Sequence, residues 1–224
     1  MCIRDRFVRM YPRSNQLKEK TDYILGLSEK IPEQWDGLIP PQIRSSSIIN
    51  TFGGYEEDNL IAGIFLERIK EISKKPSEET IILLAHGSSD DQAEILRKNK
   101  MKDHIDWIQK QFNPTFKNIK GMSLREDWPG KREKALNKIV NFIEEGNKRG
   151  KVIVISNRLY GSGPYKHFLK GLNFEMNSKG LAPHPNLTRW LEKGIKSVIK
   201  NNFSKQIISP NTNNLNITVS STAR

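Results

Sequence analysis

The chain is poor in cysteine and has no long apolar run, and both features narrow its class. Cys2 is the only cysteine among 224 residues, which excludes a disulfide framework and a zinc or iron–sulfur site built from cysteines. No stretch approaches the roughly 18 consecutive apolar residues of a membrane-spanning helix, so we expect no integral membrane segment. Aromatic residues reach 8 %, but hydrophobic residues together reach 36 %, which is enough for a packed core.

Acidic residues are also scarce relative to basic ones. The 37 Lys and Arg residues outnumber the 25 Asp and Glu residues, which gives a formal charge of +12. This surplus fits nucleic acid, an anionic surface or a polyanionic small molecule. The lysines are spread over expected helices and mixed with acidic residues, and no nucleic-acid-binding motif is present. We therefore expect no nucleic-acid partner.

The two ends of the chain differ from the part between them. Residues 1–6 (MCIRDR) resemble the translation of a sequencing adapter, and we interpret them as an artefact to be left out of the fold. On that interpretation the native N-terminus is missing, so a signal peptide is not excluded and a cytoplasmic location is the default expectation. Residues 206–224, which are rich in Asn, Ser and Thr, are expected to form a flexible tail.

Apolar runs alternate with helical patterns from about residue 77 onward. Strands are expected at residues 80–85, 116–124, 152–156 and, from a weaker pattern, 172–176. A helical pattern follows each of them. Four such units in series predict an α/β fold with a four-stranded parallel sheet flanked by helices. An amphipathic helix is also expected at residues 58–73, and the residues before it show no convincing strand.

Ligands of an open parallel sheet bind outside the carboxyl ends of its strands. That rule selects four loops as the functional edge. Their candidate residues are His86, Ser88 and Ser89 in the first loop, Arg125, Glu126 and Asp127 in the second, Arg158 and Tyr160 in the third, and His184 in the fourth. No G-x-G-x-x-G or P-loop pattern is present, so we expect no nucleotide.

Each candidate has a functional and a structural interpretation. His86 is suited to bind a metal or accept a proton, and the Ser88 and Ser89 amides are suited to hold an anion. Alternatively, His86 is a hydrogen-bonded residue at a strand end and the serines cap a helix. The Arg125–Asp127 triplet offers an anion clamp and carboxylate ligands, or else a helix cap at Asp127 and an internal Arg125–Glu126 pair.

The third and fourth loops carry the remaining candidates. Arg158 and Tyr160 suit contacts with an anion or a ring. His184 lies between two prolines and is either a metal ligand or a structural residue.

Four segments together resemble a known family. ILLAHGSSDD (Ile82–Asp91) resembles the start of the class II tetrapyrrole metal chelatases, the sirohydrochlorin cobalt- and ferrochelatases, and LREDWP, RLYGSGPY and LAPHPNLTRWL resemble a divergent branch of it. The resemblance implies a chelatase-like module at residues 77–205. It also implies that residues 7–76 are the C-terminal remnant of a first, similar module.

The resemblance further implies a lyase-type enzyme that inserts Co²⁺ or Fe²⁺, with Ni²⁺ or Zn²⁺ as other candidates, into an anionic sirohydrochlorin-type tetrapyrrole. His86 matches the family's first histidine, as metal ligand and base. The family's second histidine is expected in the loop that reads Gly161–Pro164 here, where none is present. Substrate binding is assigned to Ser88, Ser89, Arg125, Arg158 and Tyr160, and further metal ligation to His184, Glu126 and Asp127.

Two alternatives remain open beside the chelatase. One is a non-catalytic module that binds a metal or a tetrapyrrole and has lost the second histidine. The other is an anion-handling hydrolase that uses His86 and the serines, although no Ser-His-Asp order supports it. The family also implies that a second chelatase-like module, in the same full-length chain or in a homodimer, completes the cleft.

Overall fold

The structure, a computed structural model, describes residues 6–8, 15–33, 35, 38–43, 50–52 and 54–200. The expected artefact at residues 1–6, apart from Arg6, and the expected tail at 206–224 lie outside the described residues. The described residues divide into two compact units, a smaller one drawn mainly from residues 15–51 and a larger one spanning residues 52–197.

The smaller unit is built around one helix. It contains α1 (Asn15–Ile24), and β1 (Arg6–Val8) pairs with β2 (Asn50–Phe52) as a two-stranded sheet. The Tyr23 and Trp35 rings meet edge to face with their centroids 5.6 Å apart. The two short strands are a correction, because we expected no strand before residue 58. Three residues are too few to show a hydrophobic alternation in the sequence.

The larger unit alternates strands and helices. Its elements are α2 (Asn59–Lys70), β3 (Glu79–Ala85), α3 (Asp91–Gln109), β4 (Asn118–Ser123), α4 (Pro129–Asn147), β5 (Lys151–Ser156), α5 (Tyr165–Phe168) and α6 (Pro185–Lys200). This order confirms the predicted α/β class. No helix in the described ranges is both long and apolar enough to cross a membrane.

The sheet of the larger unit has three parallel strands rather than the predicted four. Its order is β4-β3-β5, and Leu83 of β3 lies opposite Gly121 of β4 and Ile155 of β5. The expected fourth strand at 172–176 makes a single parallel bridge, between Glu175 and Ile153. Asn and Glu are poor strand formers, and the two of them interrupt this short apolar segment.

Helices cover both faces of the sheet, and β3 is buried along its whole length. Ile81 and Leu83 point toward one face, where α2, α3 and α6 supply the packing partners. Ile82 and Leu84 point toward the other face, which α4 and Tyr165 of α5 cover. A strand buried on both faces reads as a continuous apolar run, and this is the pattern that identified it in the sequence.

Helix α2 packs on the sheet inside the larger unit. Its side chains Ile61, Ile64, Phe65 and Ile69 belong to the core that contains β3 and β5. Arg68 also donates hydrogen bonds to the Gly180 carbonyl and the Pro183 carbonyl, each over 3.1 Å. In the structure α2 therefore groups with the module that follows it. The origin of residues 7–76 as a remnant of a first module stays a prediction.

Phe65→Ala should lower the free energy of unfolding of the larger unit by about 3–5 kcal/mol, because it leaves a cavity in the core beneath β3. Urea unfolding monitored by circular dichroism measures this. Leu96→Ala is the matched control, since Leu96 is 61 % exposed and its truncation should have little effect. Equal effects of the two substitutions would show that α2 is not part of the core.

His104 of α3 is a buried histidine in this core, with its ring centroid 5.7 Å from that of Phe65. Burial lowers the pKa of His104, and this outweighs the Glu56 backbone contact and the nearby Asp103 and Asp58 charges, which raise the pKa. The folded protein therefore takes up a proton at His104 less readily than the unfolded chain does.

This difference predicts a loss of stability in acid. As pH falls below about 6.5, the ordinary histidine pKa, the unfolded chain becomes protonated at this position while the folded protein resists protonation. We expect His104→Gln, which cannot titrate, to flatten the fall in the free energy of unfolding between pH 7 and pH 5. Urea unfolding at several pH values tests it, with the exposed His167→Gln as the control. Parallel pH profiles for His104→Gln and the wild type would contradict the prediction.

Candidate functional site

Three of the four predicted loops meet around His86 at the carboxyl end of the sheet. The fourth joins the third, since the Leu181 and Ala182 N–H groups donate to the Arg158 and Leu159 carbonyls. Because β3 is the central strand, the loop that follows it lies between the loops that follow β4 and β5. The Arg125 backbone N–H donates to the His86 carbonyl over 2.6 Å, which joins the first loop to the second. Arg158 reaches from the third loop to Glu126 of the second.

The contact between the first two loops depends on Gly87. Its φ of 97° lies in the left-handed region. A Cβ atom at this position would lie 2.9 Å from both the backbone nitrogen and Cγ of Arg125, which is too close for any side chain. The glycine of the HGSS segment therefore lets the Arg125 turn pack directly on the end of β3. Arg125 itself has a φ of 57°.

Arg125 uses its guanidinium to hold the first loop in place. Nε donates to the Ser88 carbonyl over 2.7 Å, Nη2 to the Ser89 carbonyl over 2.8 Å, and Nη1 pairs with Asp91 Oδ1 at 2.6 Å. The hydrogen bonds from Arg125 and then Lys131 lower the pKa of Asp91. Arg125 thus pairs with Asp91 and not with Glu126. Its proposed contact with a substrate carboxylate stays a prediction and would require these bonds to be exchanged.

His86 pairs with Asp127 at the centre of this edge. Its Nε2 lies 3.0 Å from Asp127 Oδ2, and its Nδ1 lies 3.0 Å from the Gly87 carbonyl oxygen. The Trp128 ring meets the imidazole edge to face at 5.8 Å, and 33 % of the His86 side chain stays exposed. Asp127 therefore orients His86, while α4 begins after Trp128 without a side-chain cap.

Both ring nitrogens of His86 are engaged by oxygen atoms of the chain. A neutral imidazole, however, carries a single N–H. One ring nitrogen therefore donates a hydrogen bond to its oxygen, while the other faces its oxygen with a lone pair. A metal ion would have to displace Asp127 or the Gly87 carbonyl from a ring nitrogen.

Glu126 is held by the third loop. Arg158 Nη1 lies 2.6 Å from Glu126 Oε1, and Arg132 donates to the Glu126 carbonyl. Partial burial acts to lower the pKa of Arg158, but the hydrogen bond and charge of Glu126 outweigh it and raise the pKa. Gly163 makes room for this arginine, since a Cβ there would lie 2.4 Å from Arg158 Cδ.

The serines of the first loop organise the start of α3. The Ser88 hydroxyl accepts a hydrogen bond from the Asp90 backbone N–H over 3.2 Å. The Ser88 backbone N–H donates to Glu94 Oε2 over 3.1 Å, and Asp90 caps the helix by accepting from the Ala93 N–H. The Ser88 amide is thus bound to a carboxylate within the chain, and the assignment of Ser88 and Ser89 to substrate stays a prediction.

His184 lies in a different environment from His86. Its Nε2 is 2.8 Å from Glu67 Oε2 on α2, and its Nδ1 accepts a hydrogen bond from the Asn186 backbone N–H at the start of α6. The side chain is 4 % exposed. Among the described residues no contact joins the two histidines. Tyr160 is 79 % exposed on the third loop.

The expected metal ligands do not gather into one cluster. In the ranges that the structure describes, no three His, Cys, Asp or Glu side chains are placed together so as to hold a metal ion. Glu126 binds Arg158, Asp127 binds His86, and His184 binds Glu67. Metal binding at these residues stays a prediction.

The structure adds buried polar residues that the sequence did not single out. Ser123 and Ser156 end β4 and β5, and their hydroxyls make no hydrogen bond to any described residue. Tyr165 is fully buried, and burial, followed by the charge of Glu126, raises the pKa of its hydroxyl so that the phenol stays neutral. The sequence signal for the serines was their place at or next to the last position of an expected strand.

His184→Ala should lower the free energy of unfolding by about 1–3 kcal/mol, because it removes a buried bond to Glu67 and leaves the Asn186 N–H without its acceptor. Chemical denaturation measures this. Glu67→Gln is the matched control, because it keeps an acceptor oxygen and should have a smaller effect. A loss of metal affinity in His184→Ala with unchanged stability would instead support the ligand role of His184.

The comparisons with known proteins leave the family open. No family model matches the chain, and neither a curated protein nor a solved structure matches it. The sheet, the central histidine and the loops around it are therefore the observations on which a function is proposed.

Proposed function

We propose that the larger unit is a chelatase-like module that inserts a divalent metal, Co²⁺ or Fe²⁺, into an anionic tetrapyrrole. The observation that carries this proposal is the His86–Asp127 pair, half-exposed at the carboxyl end of the central strand. This is the position at which an open parallel sheet presents its ligand site. The chelatase-like HGSSDD segment supplies this histidine.

Metal insertion requires a group that takes up protons. When a divalent metal enters the ring of a tetrapyrrole, it forms bonds to the four ring nitrogens, two N–H bonds break and two protons leave. His86 accepts these protons one at a time and passes each to solvent through its exposed side. Asp127 stabilises the imidazolium between the two transfers, as a carboxylate does beside a catalytic histidine.

The substrate's negative charge accounts for the basic residues around the edge. Arg158 is the cation best placed for a substrate carboxylate. Its side chain is partly exposed, and its ion pair with Glu126 uses Nη1 of the guanidinium. A substrate carboxylate would take over one arm of its guanidinium. The buried hydroxyls of Ser123 and Ser156 at the strand ends, which have no hydrogen-bond partner among the described residues, supply further polar groups beneath this edge.

A non-catalytic binding module is the second candidate. The observation that favours it is the engagement of both His86 ring nitrogens by oxygens of the chain. The loop Gly161–Pro164 also offers no second histidine. Such a module would bind the tetrapyrrole at the same edge without turnover.

The test follows metal insertion into sirohydrochlorin by absorbance, with Co²⁺ as the metal. We expect His86→Ala to lower the rate by about 100-fold or more, as loss of a general base does. Asp127→Asn should lower it less, since it keeps a hydrogen bond but removes the charge that stabilises the imidazolium. His167→Ala is the matched control, because His167 is an exposed histidine outside this edge.

The same experiment separates the two candidates. A wild-type rate above the uncatalysed rate that depends on His86 supports the enzyme. A shifted spectrum of bound tetrapyrrole without turnover supports the binding module. If His86→Ala inserts the metal as fast as the wild type, the proposed role of His86 is wrong.

A further inference from the structure

A basic groove runs along the free edge of the sheet in the larger unit. It has a volume of about 730 Å³, and β4 forms its floor between α3 and α4. Its lining extends on α4 from Lys131 to Glu145, which at 1.5 Å per residue corresponds to roughly 20 Å along the helix. The groove therefore extends along most of α4.

Positive charge dominates this groove. Its basic lining residues are Lys98, Lys120, Arg125, Lys131, Lys134 and Lys138. The two acidic lining residues already have partners, since Asp91 binds Arg125 and Lys131, and Glu145 binds Lys148. Lys134 and Lys138 make no ion pair with any described residue. The groove thus keeps a surplus of cations for an anionic partner.

The floor of the groove is an unpaired strand edge. The Leu124 N–H donates to the Ala85 carbonyl over 2.9 Å, which fixes the side of β4 that faces β3. Because backbone groups alternate along a strand, the N–H and C=O groups of Ile119, Gly121 and Ser123 face the other way. Among the described residues these outer groups have no hydrogen-bond partner. They form a repeating row of donors and acceptors, of which Gly121 and Ser123 line the groove and Ile119 continues beyond it.

The lysines of α4 are spaced to match a strand laid on that row. Lys134 and Lys138 are four residues apart, or about 6 Å along the helix. Alternate residues of a strand are about 6.7 Å apart. Acidic side chains at every second position of an added strand would therefore meet successive lysines. On the α3 side the groove has Lys98 alone as a cation, so the intervening residues need no charge.

We propose that the free edge of β4 binds an extended segment of a partner protein as a fourth strand, with acidic residues at alternate positions. The backbone of this segment pairs with Ile119, Gly121 and Ser123, and its carboxylates meet Lys134 and Lys138. A compact anion uses the lysines but leaves the backbone row unpaired, so a peptide fits the groove better. The inference is independent of the proposed chelatase activity.

The probe is a fluorescein-labelled peptide with the sequence Glu-Thr-Glu-Thr-Glu-Thr-Glu and blocked ends, and its binding is measured by fluorescence anisotropy at low salt. We expect Lys134→Glu/Lys138→Glu to weaken binding about tenfold or more by charge reversal. Lys196→Glu/Lys200→Glu is the matched control, with two exposed lysines of α6 at the same spacing. Circular dichroism verifies that both variants are folded.

Backbone methylation separates strand addition from simple charge attraction. All glutamate N–H groups of an added strand point one way and all threonine N–H groups the other. One peptide is N-methylated at the glutamates and a second peptide at the threonines. We expect one of these two peptides to lose binding and the other to keep it. Hydrogen exchange at Ile119, Gly121 and Ser123 should also slow in the complex.

The opposite results overturn the proposal. Equal binding of the two methylated peptides excludes strand addition. Equal weakening by the two charge-reversal variants excludes the groove as the site. No binding of the unmodified peptide to the wild type excludes the proposed partner chemistry.

Discussion

The burial of β3 on both faces and along both edges is the constraint on which the larger unit depends. Two layers of helices pack on this strand, and its neighbours β4 and β5 use all of its backbone hydrogen bonds. The chain therefore leaves the core at a fixed point, His86, between two other strand ends. A rigid scaffold beneath a loop is what allows the loop to hold side chains in place. The position of His86 follows from the packing of Ile81–Ala85.

Close packing of the loops then determines which charges remain available. Gly87 brings Arg125 against the first loop, where its guanidinium is used on two carbonyls and Asp91. Glu126 is taken by Arg158 in the same way. Arg125 and Glu126, which could have bound a ligand, instead tie three loops together. His86 differs because its partners leave one side of the ring exposed to solvent.

The sequence was sufficient for the parts of the fold that depend on local patterns. The buried strands, the long helices and the edge that carries His86 all follow from hydrophobic periodicity and from the rule for parallel sheets. The pairing of side chains did not follow. Glu126 and Asp127 stand beside Arg125 in the chain, but its guanidinium binds Asp91, which the close approach at Gly87 brings near. The partner of His184 did not follow from the sequence either, because Glu67 lies more than 100 residues away in the chain. The segment around Glu175 has a weak strand pattern but forms a single bridge, because two of its five residues, Asn and Glu, are poor strand formers.

The two edges of the sheet are not equivalent. The outer edge of β5 is occupied, since the Val154 N–H donates to the Glu175 carbonyl and the Glu175 N–H to the Val152 carbonyl. The described part of β4 has no such cover. A strand adds to this sheet more readily at β4 than at β5. Two copies that paired through their β4 edges would leave the covered β5 edges outside, which hinders further growth edge to edge.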